Sequence, residues 1–433
     1  MADPGMSVTP YWELTFDADG DVDGPERDRL LDQARGHGVR DLIVFAHGWN
    51  NDRSGATSLY RRFFAPIPGL APKARIGYVG VIWPSMRFCD EPIPDFPRSA
   101  VAQEAGAAPR PVLDKDTLRA LRETFPARTT VVDQLARMLD VHPAGTEGLA
   151  EFGGLVRLLV GAEHRQAGTD TGEEGEPGLL SGDTVAVCEA LAEALASLES
   201  PGTPAGFSLP NPWDGAKELL RQATYYEMKR RAGTVGSRGL GPALGRLATA
   251  APAVRVHLVG HSFGGRLVSY ALDGLPSGVR TVKSVTLLQG AFSHYTFAAR
   301  LPQDPHGSGA LKDRQKRVDG PLVCCYSHFD SSLGTFYPLA SACAGEDRSA
   351  AGFSLGHALG PRWGAMGHDG VQAVPGTAAL DLAGALRGPL PRSGCVNVDA
   401  AAVVRRGGPP SGAHSDIVHP ELARLVLAAG RIA

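Results

Sequence analysis

Short apolar runs separated by amphipathic segments dominate the pattern of this chain. Residues 11–16 alternate apolar and polar side chains and predict an outer strand. A continuous apolar run, typical of a strand buried on both faces of a parallel sheet, occupies residues 41–46, and another occupies residues 76–83. Further runs with the pattern of strands follow at residues 254–259, 282–288, 321–326 and 396–400. Helical patterns at residues 25–36, 214–231, 266–272 and 420–429 lie between or after these runs. This alternation predicts an α/β fold with a mostly parallel central sheet flanked by helices.

The alternation is interrupted between Pro94 and about Asn211, where no run has the pattern of a strand. Apolar spacing predicts helices at residues 118–124, 131–139, 148–162 and 184–198. We therefore expect residues 96–211 to form a helical cap inserted into a core made of residues 1–95 and 212–433. The acidic, glycine-rich stretch 168–176 is predicted to be an exposed mobile loop. A second stretch, about 331–394, has little periodicity and is predicted to be a long loop.

Composition excludes several classes of protein. The formal net charge of −3 over 433 residues argues against a general nucleic-acid binder. The six cysteines form no Cys-x-x-Cys pair, so we expect buried or free thiols rather than disulfides or a metal site. The N-terminus lacks the pattern of a secretory signal, and no apolar run has the length of a membrane span. We expect a cytoplasmic protein without a transmembrane segment.

The chemically most informative segment is Gly260-His261-Ser262-Phe263-Gly264, which directly follows the predicted strand at 254–259 and precedes the helix at 266–272. A Gly-x-Ser-x-Gly turn between a strand and a helix is typical of a nucleophile elbow. Side chains larger than hydrogen at Gly260 and Gly264 would collide with neighbouring backbone in such a turn. We therefore predict that Ser262 is a nucleophile. His261 is expected to point away from the reacting atoms.

The same pentapeptide pattern occurs a second time, around Ser354. No strand pattern precedes it, and Gly360 and Pro361 follow too soon for a helix. Position relative to a strand and a helix therefore favours Ser262, and Ser354 is predicted to lie in a loop.

A serine hydroxyl needs a base and a group that orients the base. Asp330 follows the predicted strand at 321–326 and is our candidate acid, with Asp399 in reserve. His414 follows the last predicted strand and is our candidate base, with His419 as the competitor. A capping or surface role is the alternative for each of these side chains.

An oxyanion hole needs two backbone N–H donors that converge on one point. The residue after the nucleophile, Phe263, is predicted to supply one of them. The other is expected from Trp49, in the turn His47-Gly48-Trp49 that directly follows the predicted strand 41–46. The side chain of Asn50 or Asn51 is expected to hold this turn by hydrogen bonds.

With these segments the chain resembles the α/β-hydrolase superfamily, and within it the lipase-like serine esterases. The resemblance is carried by Ala46–Trp49, Gly260–Gly265, the strand that ends before Asp330, and His414–Ile417 before a C-terminal helix. It implies a catalytic triad of Ser262, Asp330 and His414. It covers roughly residues 36–95 and 215–433 and does not account for the inserted helices.

The resemblance implies a serine hydrolase that cleaves carboxylic esters through an acyl-enzyme, acting on a small-molecule ester with a hydrophobic part. An acyltransferase, a thioesterase or a serine peptidase would use the same residues, and a non-catalytic protein that keeps the fold is a further alternative. No glycine-rich phosphate-binding turn follows a strand, and no histidine pair has metal-ligand spacing, so we expect neither a cofactor nor a metal.

Overall fold

The computed structural model describes residues 5–49, 51–86, 112–161, 170, 183–199, 210–336, 364–408 and 411–433. Within these ranges the strands form one eight-stranded sheet in which every pair of neighbours is parallel. The strands are β1 (Tyr11–Thr15), β2 (Asp41–Ala46), β3 (Ile76–Ile82), β4 (Arg255–His261), β5 (Val282–Leu288), β6 (Pro321–Tyr326), β7 (Ala378–Asp381) and β8 (Gly394–Asp399). Their order is β1-β3-β2-β4-β5-β6-β8-β7, with β1 at one edge as predicted.

Helices cover both faces of the sheet, which confirms the predicted α/β class. In order they are α1 (Gly24–Gly36), α2 (Arg53–Phe64), α3 (Ile67–Leu70), α4 (Lys115–Thr124), α5 (Thr129–Val141), α6 (Gly145–Val160), α7 (Thr184–Glu199), α8 (Pro212–Thr234), α9 (Gly241–Ala250), α10 (Phe263–Gly274), α11 (Met366–Asp369), α12 (Leu382–Arg387) and α13 (Pro420–Gly430). A π-helical segment, Val235–Leu240, joins α8 directly to α9. None of the helices in the described part of the chain combines the length and apolar character that crossing a membrane requires.

Residues on the two faces of the sheet belong to two separate hydrophobic clusters, and β2 contributes to both. Its six residues are all buried, and successive side chains point to opposite faces. Leu42 and Val44 join the cluster beneath α1, α8 and α10, whereas Ile43 and Phe45 join the cluster beneath α2 and α13. Burial on both faces explains the uninterrupted apolar run in the sequence.

The helices predicted for the inserted segment are present, with ends that differ by a few residues from the predicted ones. Leu121, Leu135 and Phe152, from α4, α5 and α6, belong to the same hydrophobic cluster as Leu42 and Val44 of the sheet. These helices therefore continue one of the two cores. Within the predicted cap, 96–211, residues 96–111 and 200–209 lie outside the described residues.

The stretch 331–394 is not the single loop that its sequence predicts. It contains α11, the edge strand β7 and α12. Strand β7 has four residues, none of them buried, so its hydrophobic pattern is weak and periodicity alone does not detect it. Residues 337–363, which include Ser354, lie outside the described residues.

One residue of the stretch 168–176, which was predicted to be an exposed loop, lies in the interior of the protein. Asp170, the part of that stretch which the structure describes, is fully buried. Its carboxylate lies 2.9 Å from the Nζ of Lys229 on α8 and 2.8 Å from the Nε of Arg266 on α10. The prediction of an exposed loop is therefore wrong at Asp170, because two buried cations hold its carboxylate in the interior.

The cysteines that the structure describes behave as expected. Cys188, Cys324, Cys325 and Cys395 are free and buried. Burial raises the pKa of Cys325 to about 12, so this thiol stays protonated. Cys89 and Cys343 lie outside the described residues.

Candidate functional site

The turn between β4 and α10 places Ser262 at the carboxyl edge of the sheet. Ser262 has a φ of 55° and a ψ of −123°, a backbone conformation that residues other than glycine rarely adopt. Backbone hydrogen bonds hold it there: its N–H donates to the carbonyl of Leu288 (3.1 Å), and its own carbonyl accepts from Gly265 (3.0 Å). The strand-turn-helix context predicted for this serine is therefore present.

Three glycines surround this turn because a methyl group would not fit. A Cβ on Gly264 would lie 2.0 Å from the carbonyl oxygen of Ala46, and one on Gly260 would lie 2.3 Å from the carbonyl oxygen of Gly264. A Cβ on Gly48 would lie 2.7 Å from the Cβ of Ser262. The predicted collisions at Gly260 and Gly264 are confirmed, and Gly48 brings the turn after β2 directly against the serine.

The structure brings Ser262, His414 and Asp330 together in one chain of hydrogen bonds. The Nε2 of His414 lies 2.9 Å from the Oγ of Ser262, and its Nδ1 lies 2.8 Å from the Oδ2 of Asp330. The three residues are separated by up to 152 positions in sequence. They meet because β4, β6 and β8 are parallel, so the segments that follow these strands all leave the sheet at the same edge.

Asp330 is fully buried, and its carboxylate has three partners among the described residues. Oδ1 accepts the backbone N–H of Leu333 (3.1 Å), and Oδ2 accepts the side-chain amide of Gln289 (3.0 Å) as well as His414. These donors hold the carboxylate in one orientation toward the imidazole.

Gln289 is a site residue that the sequence analysis missed. It follows β5 directly, is fully buried, and has a φ of 48°. Its Nε2 also donates to the carbonyl of Gly367 (2.9 Å), so it connects Asp330 to α11. The signal that could have identified it is its position directly after a buried strand, at the edge where the other site residues lie.

The two reserve candidates lie elsewhere. The Nε2 of His419 lies 2.9 Å from the Oδ1 of Asp416, and His419 occupies the N-cap of α13. The Oδ1 of Asp399 accepts the backbone N–H of Ala401 (2.9 Å) at the end of β8. Asp399 therefore has the turn-forming contact that was the alternative to a catalytic role, whereas the ring of His419 pairs with Asp416 and makes no capping hydrogen bond.

The turn His47-Gly48-Trp49 is fixed from several sides. The backbone N–H of His47 donates to the hydroxyl of Tyr60 (3.0 Å), and its carbonyl accepts the indole N–H of Trp83 (2.9 Å). The side-chain amide of Asn51 donates to the carbonyl of Trp49 (3.2 Å), as predicted for one of the two asparagines. Asn50 lies outside the described residues. The predicted oxyanion-hole turn is therefore held rigidly next to Ser262.

Aromatic side chains flank Ser262 on the side of α8. The ring of Phe263 lies 4.8 Å from that of Tyr225 and 6.2 Å from that of Trp49, measured between centroids. Tyr225 and Trp49 are 5.8 Å apart. The three rings pack together and join the elbow to the helical layer, with Phe263 fully buried, Tyr225 9% exposed and Trp49 partly buried.

Two buried histidines next to the serine are neutral. Burial lowers the pKa of His47 to about 4 and, together with the proximity of His414, lowers that of His261 to about 3. The ring of His261 contacts the backbone of His414 through a 2.9 Å hydrogen bond. It thereby connects the end of β4 to the loop that carries His414.

These two rings predict a pH-dependent stability. Both pKa values lie below the value of 6.5 for an exposed histidine, so the unfolded chain binds more protons and stability is lost as the pH falls below about 6.5. Each ring is expected to lower the free energy of unfolding by about 2 kcal/mol when the pH falls from 7.5 to 5. His368, whose pKa is raised by its hydrogen bond to Asp369, acts in the opposite sense and offsets part of the loss.

Urea unfolding at pH 7.5 and pH 5 measures this difference, and we expect a net loss of at least about 2 kcal/mol. The exposed His306 provides a control, since a His306→Gln variant should show the same difference as the wild type. Equal stability at the two pH values would contradict the buried neutral state of His47 and His261.

Among the described residues, no group of three or more histidine, cysteine or acidic side chains is arranged to hold a metal ion. The histidines at the site instead pair with Asp330, with backbone carbonyls and with Ser262. Comparisons of the chain with models of known protein families, with curated proteins and with solved structures found no match. The interpretation of this site therefore depends on its own geometry.

Proposed function

We propose that this protein is a serine hydrolase with an α/β-hydrolase fold that cleaves carboxylic esters through an acyl-enzyme on Ser262. The observation that carries the proposal is the continuous hydrogen-bond chain from Ser262 through His414 to Asp330. The position of the serine in a strained strand-to-helix turn, which is the arrangement of a nucleophile elbow, also supports the proposal.

In the proposed first step, the Oγ of Ser262 attacks the carbonyl carbon of the ester while the Nε2 of His414 takes the hydroxyl proton. This role requires that the proton of the neutral imidazole sits on Nδ1, and the carboxylate of Asp330 at 2.8 Å is the acceptor that selects this tautomer. The imidazolium then donates its Nε2 proton to the departing alcohol. Water, deprotonated by the same nitrogen, releases the acid from Ser262 in the second step.

The negative charge on the carbonyl oxygen needs donors that are already in place. We assign this role to the backbone N–H groups of Phe263 and Trp49. Phe263 is the first residue of α10, where the N-terminal end of the helix favours a negative charge. Trp49 follows Gly48, where a Cβ would lie 2.7 Å from the Cβ of Ser262. The backbone that carries the N–H of Trp49 therefore runs close to the serine.

The partly buried ring of Trp49, in the turn next to Ser262, supports a substrate with a hydrophobic acyl or alcohol part. Burial of apolar area against this ring supplies about 25 cal/mol for each Å² removed from water. We therefore expect kcat/KM to rise with the length of the acyl chain over the first few carbons.

A series of p-nitrophenyl esters of increasing acyl length, assayed beside a thioester, a peptide and an amide, tests the proposed function. We expect hydrolysis of the esters and stoichiometric labelling by a fluorophosphonate probe. A protein that hydrolyses none of these substrates and is not labelled would contradict the proposal and favour a non-catalytic role. Preferential cleavage of the thioester or the peptide would keep the acyl-enzyme and change the substrate class.

The identity of the base is tested by a matched pair of variants. His414→Ala removes the proton acceptor and is expected to lower kcat on the order of 10⁴-fold or more. His419→Ala removes only an N-cap histidine that contacts Asp416, so its kcat should stay close to that of the wild type. Loss of activity in the His419 variant alone would reassign the base.

A further inference from the structure

His261 connects the nucleophile directly to the loop that carries the candidate base. It is the last residue of β4, so its backbone is joined to Ser262, and the residue is 5% exposed. Its Nε2 lies 2.9 Å from the backbone carbonyl oxygen of His414. A carbonyl oxygen can only accept, so the Nε2 of His261 carries the proton and donates it.

Several other bonds hold the loop of His414: the N–H of Ser332 donates to the carbonyl of Ser411 (3.4 Å), and the N–H groups of Arg405 and Arg406 donate to the carboxylate of Asp416 (3.0 and 2.8 Å). Residues 403–408 and 411–419 contain no helix or strand. The backbone N–H of Ala413 donates to the carbonyl of Phe329 (2.9 Å), and that of His414 donates to the carbonyl of Ser411 (3.3 Å) within the same loop. The bond from His261 holds the carbonyl of His414 and joins this loop to the end of β4.

The ring of His261 is suited to remain a neutral donor during the reaction. Its Nδ1 is buried and has no hydrogen-bond partner among the described residues, so a second proton would find no acceptor. The ring centroids of His261 and His414 are 5.1 Å apart. A charged His261 at this distance would repel the imidazolium that His414 becomes, whereas a neutral ring keeps its bond to the carbonyl without opposing that charge.

We propose that His261 is a positioning residue: by donating to the carbonyl of His414 it sets the distance between the Nε2 of His414 and the Oγ of Ser262. The inference builds on the proposed function, since it assigns a role within the same site. His261 does not contact the reacting atoms, and it acts through the placement of the base. A shift of about 1 Å in such a placement lowers a rate on the order of 100-fold.

Glutamine and asparagine at position 261 distinguish this role from packing. The amide nitrogen of a glutamine can reach the position of Nε2 and donate to the same carbonyl, whereas an asparagine places its amide near Nδ1. We expect His261→Gln to keep kcat within about threefold of the wild type, and His261→Asn and His261→Leu to lower it by roughly 10- to 100-fold. KM should change by less than about twofold in all three, because the bond positions the base and not the substrate.

The measurement is kcat and KM for a p-nitrophenyl ester together with the rate of fluorophosphonate labelling, at temperatures well below the Tm of each variant. His257→Gln is the matched control: His257 is another buried histidine of β4, but its ring contacts Asp41 and Ser284, so this variant should lose stability without a change in kcat. If the His261→Leu variant does not fold, the kcat values of the His261→Asn and His261→Gln variants decide whether His261 positions the base.

Equal kcat values in the asparagine and glutamine variants would overturn the inference, as would a folded leucine variant with wild-type kcat. In either case a wild type that is still labelled would leave the proposed function standing. A wild type without labelling or hydrolysis would overturn the proposed function, and the role of His261 with it.

Discussion

Ser262→Ala is expected to lower ester hydrolysis on the order of 10⁴- to 10⁶-fold and to abolish labelling by a fluorophosphonate. The reason is that the alanine removes the atom that lies 2.9 Å from the Nε2 of His414, and with it the covalent step. The free energy of unfolding should change little or rise, since the backbone conformation at this position is already set by the bonds to Leu288 and Gly265. Labelling and kcat measured on the same preparation, with urea unfolding as the check on the fold, test this expectation.

Ser354→Ala is the control that the chain itself offers, because Ser354 occupies the same Gly-x-Ser-x-Gly pattern in a different sequence context. We expect this variant to be labelled and active like the wild type. Labelling that is lost in the Ser354 variant and retained in the Ser262 variant would show that the nucleophile has been assigned to the wrong serine.

Asp170→Asn is expected to have the largest effect on stability, a loss of about 3–5 kcal/mol. The carboxylate of Asp170 is fully buried between Lys229 and Arg266, which are themselves buried. Burial alone raises the pKa of Asp170, but the two cations outweigh this effect and hold the pKa below its usual value. An asparagine of the same shape removes the negative charge and leaves both cations in the interior without it.

The loss of stability in Asp170→Asn should be accompanied by a change in the activity of the site, because Arg266 belongs to α10, the helix that begins directly after Ser262. The carboxylate also accepts the backbone N–H of Ser293 (3.2 Å), and the carbonyl of Asp170 accepts that of Ala310 (2.8 Å). Deleting residues 168–176 would remove all of these contacts. Such a deletion is therefore expected to destabilise the protein, contrary to what an exposed loop would allow.

Asp319→Asn is the matched control. Asp319 pairs with Lys283 at the surface, where its side chain is 51% exposed, and an exposed pair contributes at most about 1 kcal/mol. Urea unfolding of the two variants at pH 7 compares a buried ion-pair cluster with an exposed pair. Losses of similar size would contradict the inference that Asp170 is held in the interior by its charge.

Strands were predictable where both faces of the sheet bury them. Strands β2, β5 and β6 have the ends that were predicted for them. In β2 the apolar residues are continuous because both faces of the strand are buried. The edge strand β7 was missed since it has four residues, of which only Ala378 and Leu380 are partly buried against the core. The burial of Asp170 was missed for a related reason: an acidic, glycine-rich stretch is typical of exposed loops, and only its distant partners Lys229 and Arg266 change that expectation.

By itself, the sequence determined the α/β class, the turn around Ser262 and the two candidates each for acid and base. These are local properties: hydrophobic runs, glycines where a Cβ would collide, and polar residues directly after a strand. The tertiary structure alone decided that His414 and Asp330, rather than His419 and Asp399, meet Ser262, and that Gln289 and His261 hold them. The physical reason is that parallel strands bring residues more than 150 positions apart to the same edge of the sheet, and the contacts made there depend on distances that no local pattern encodes.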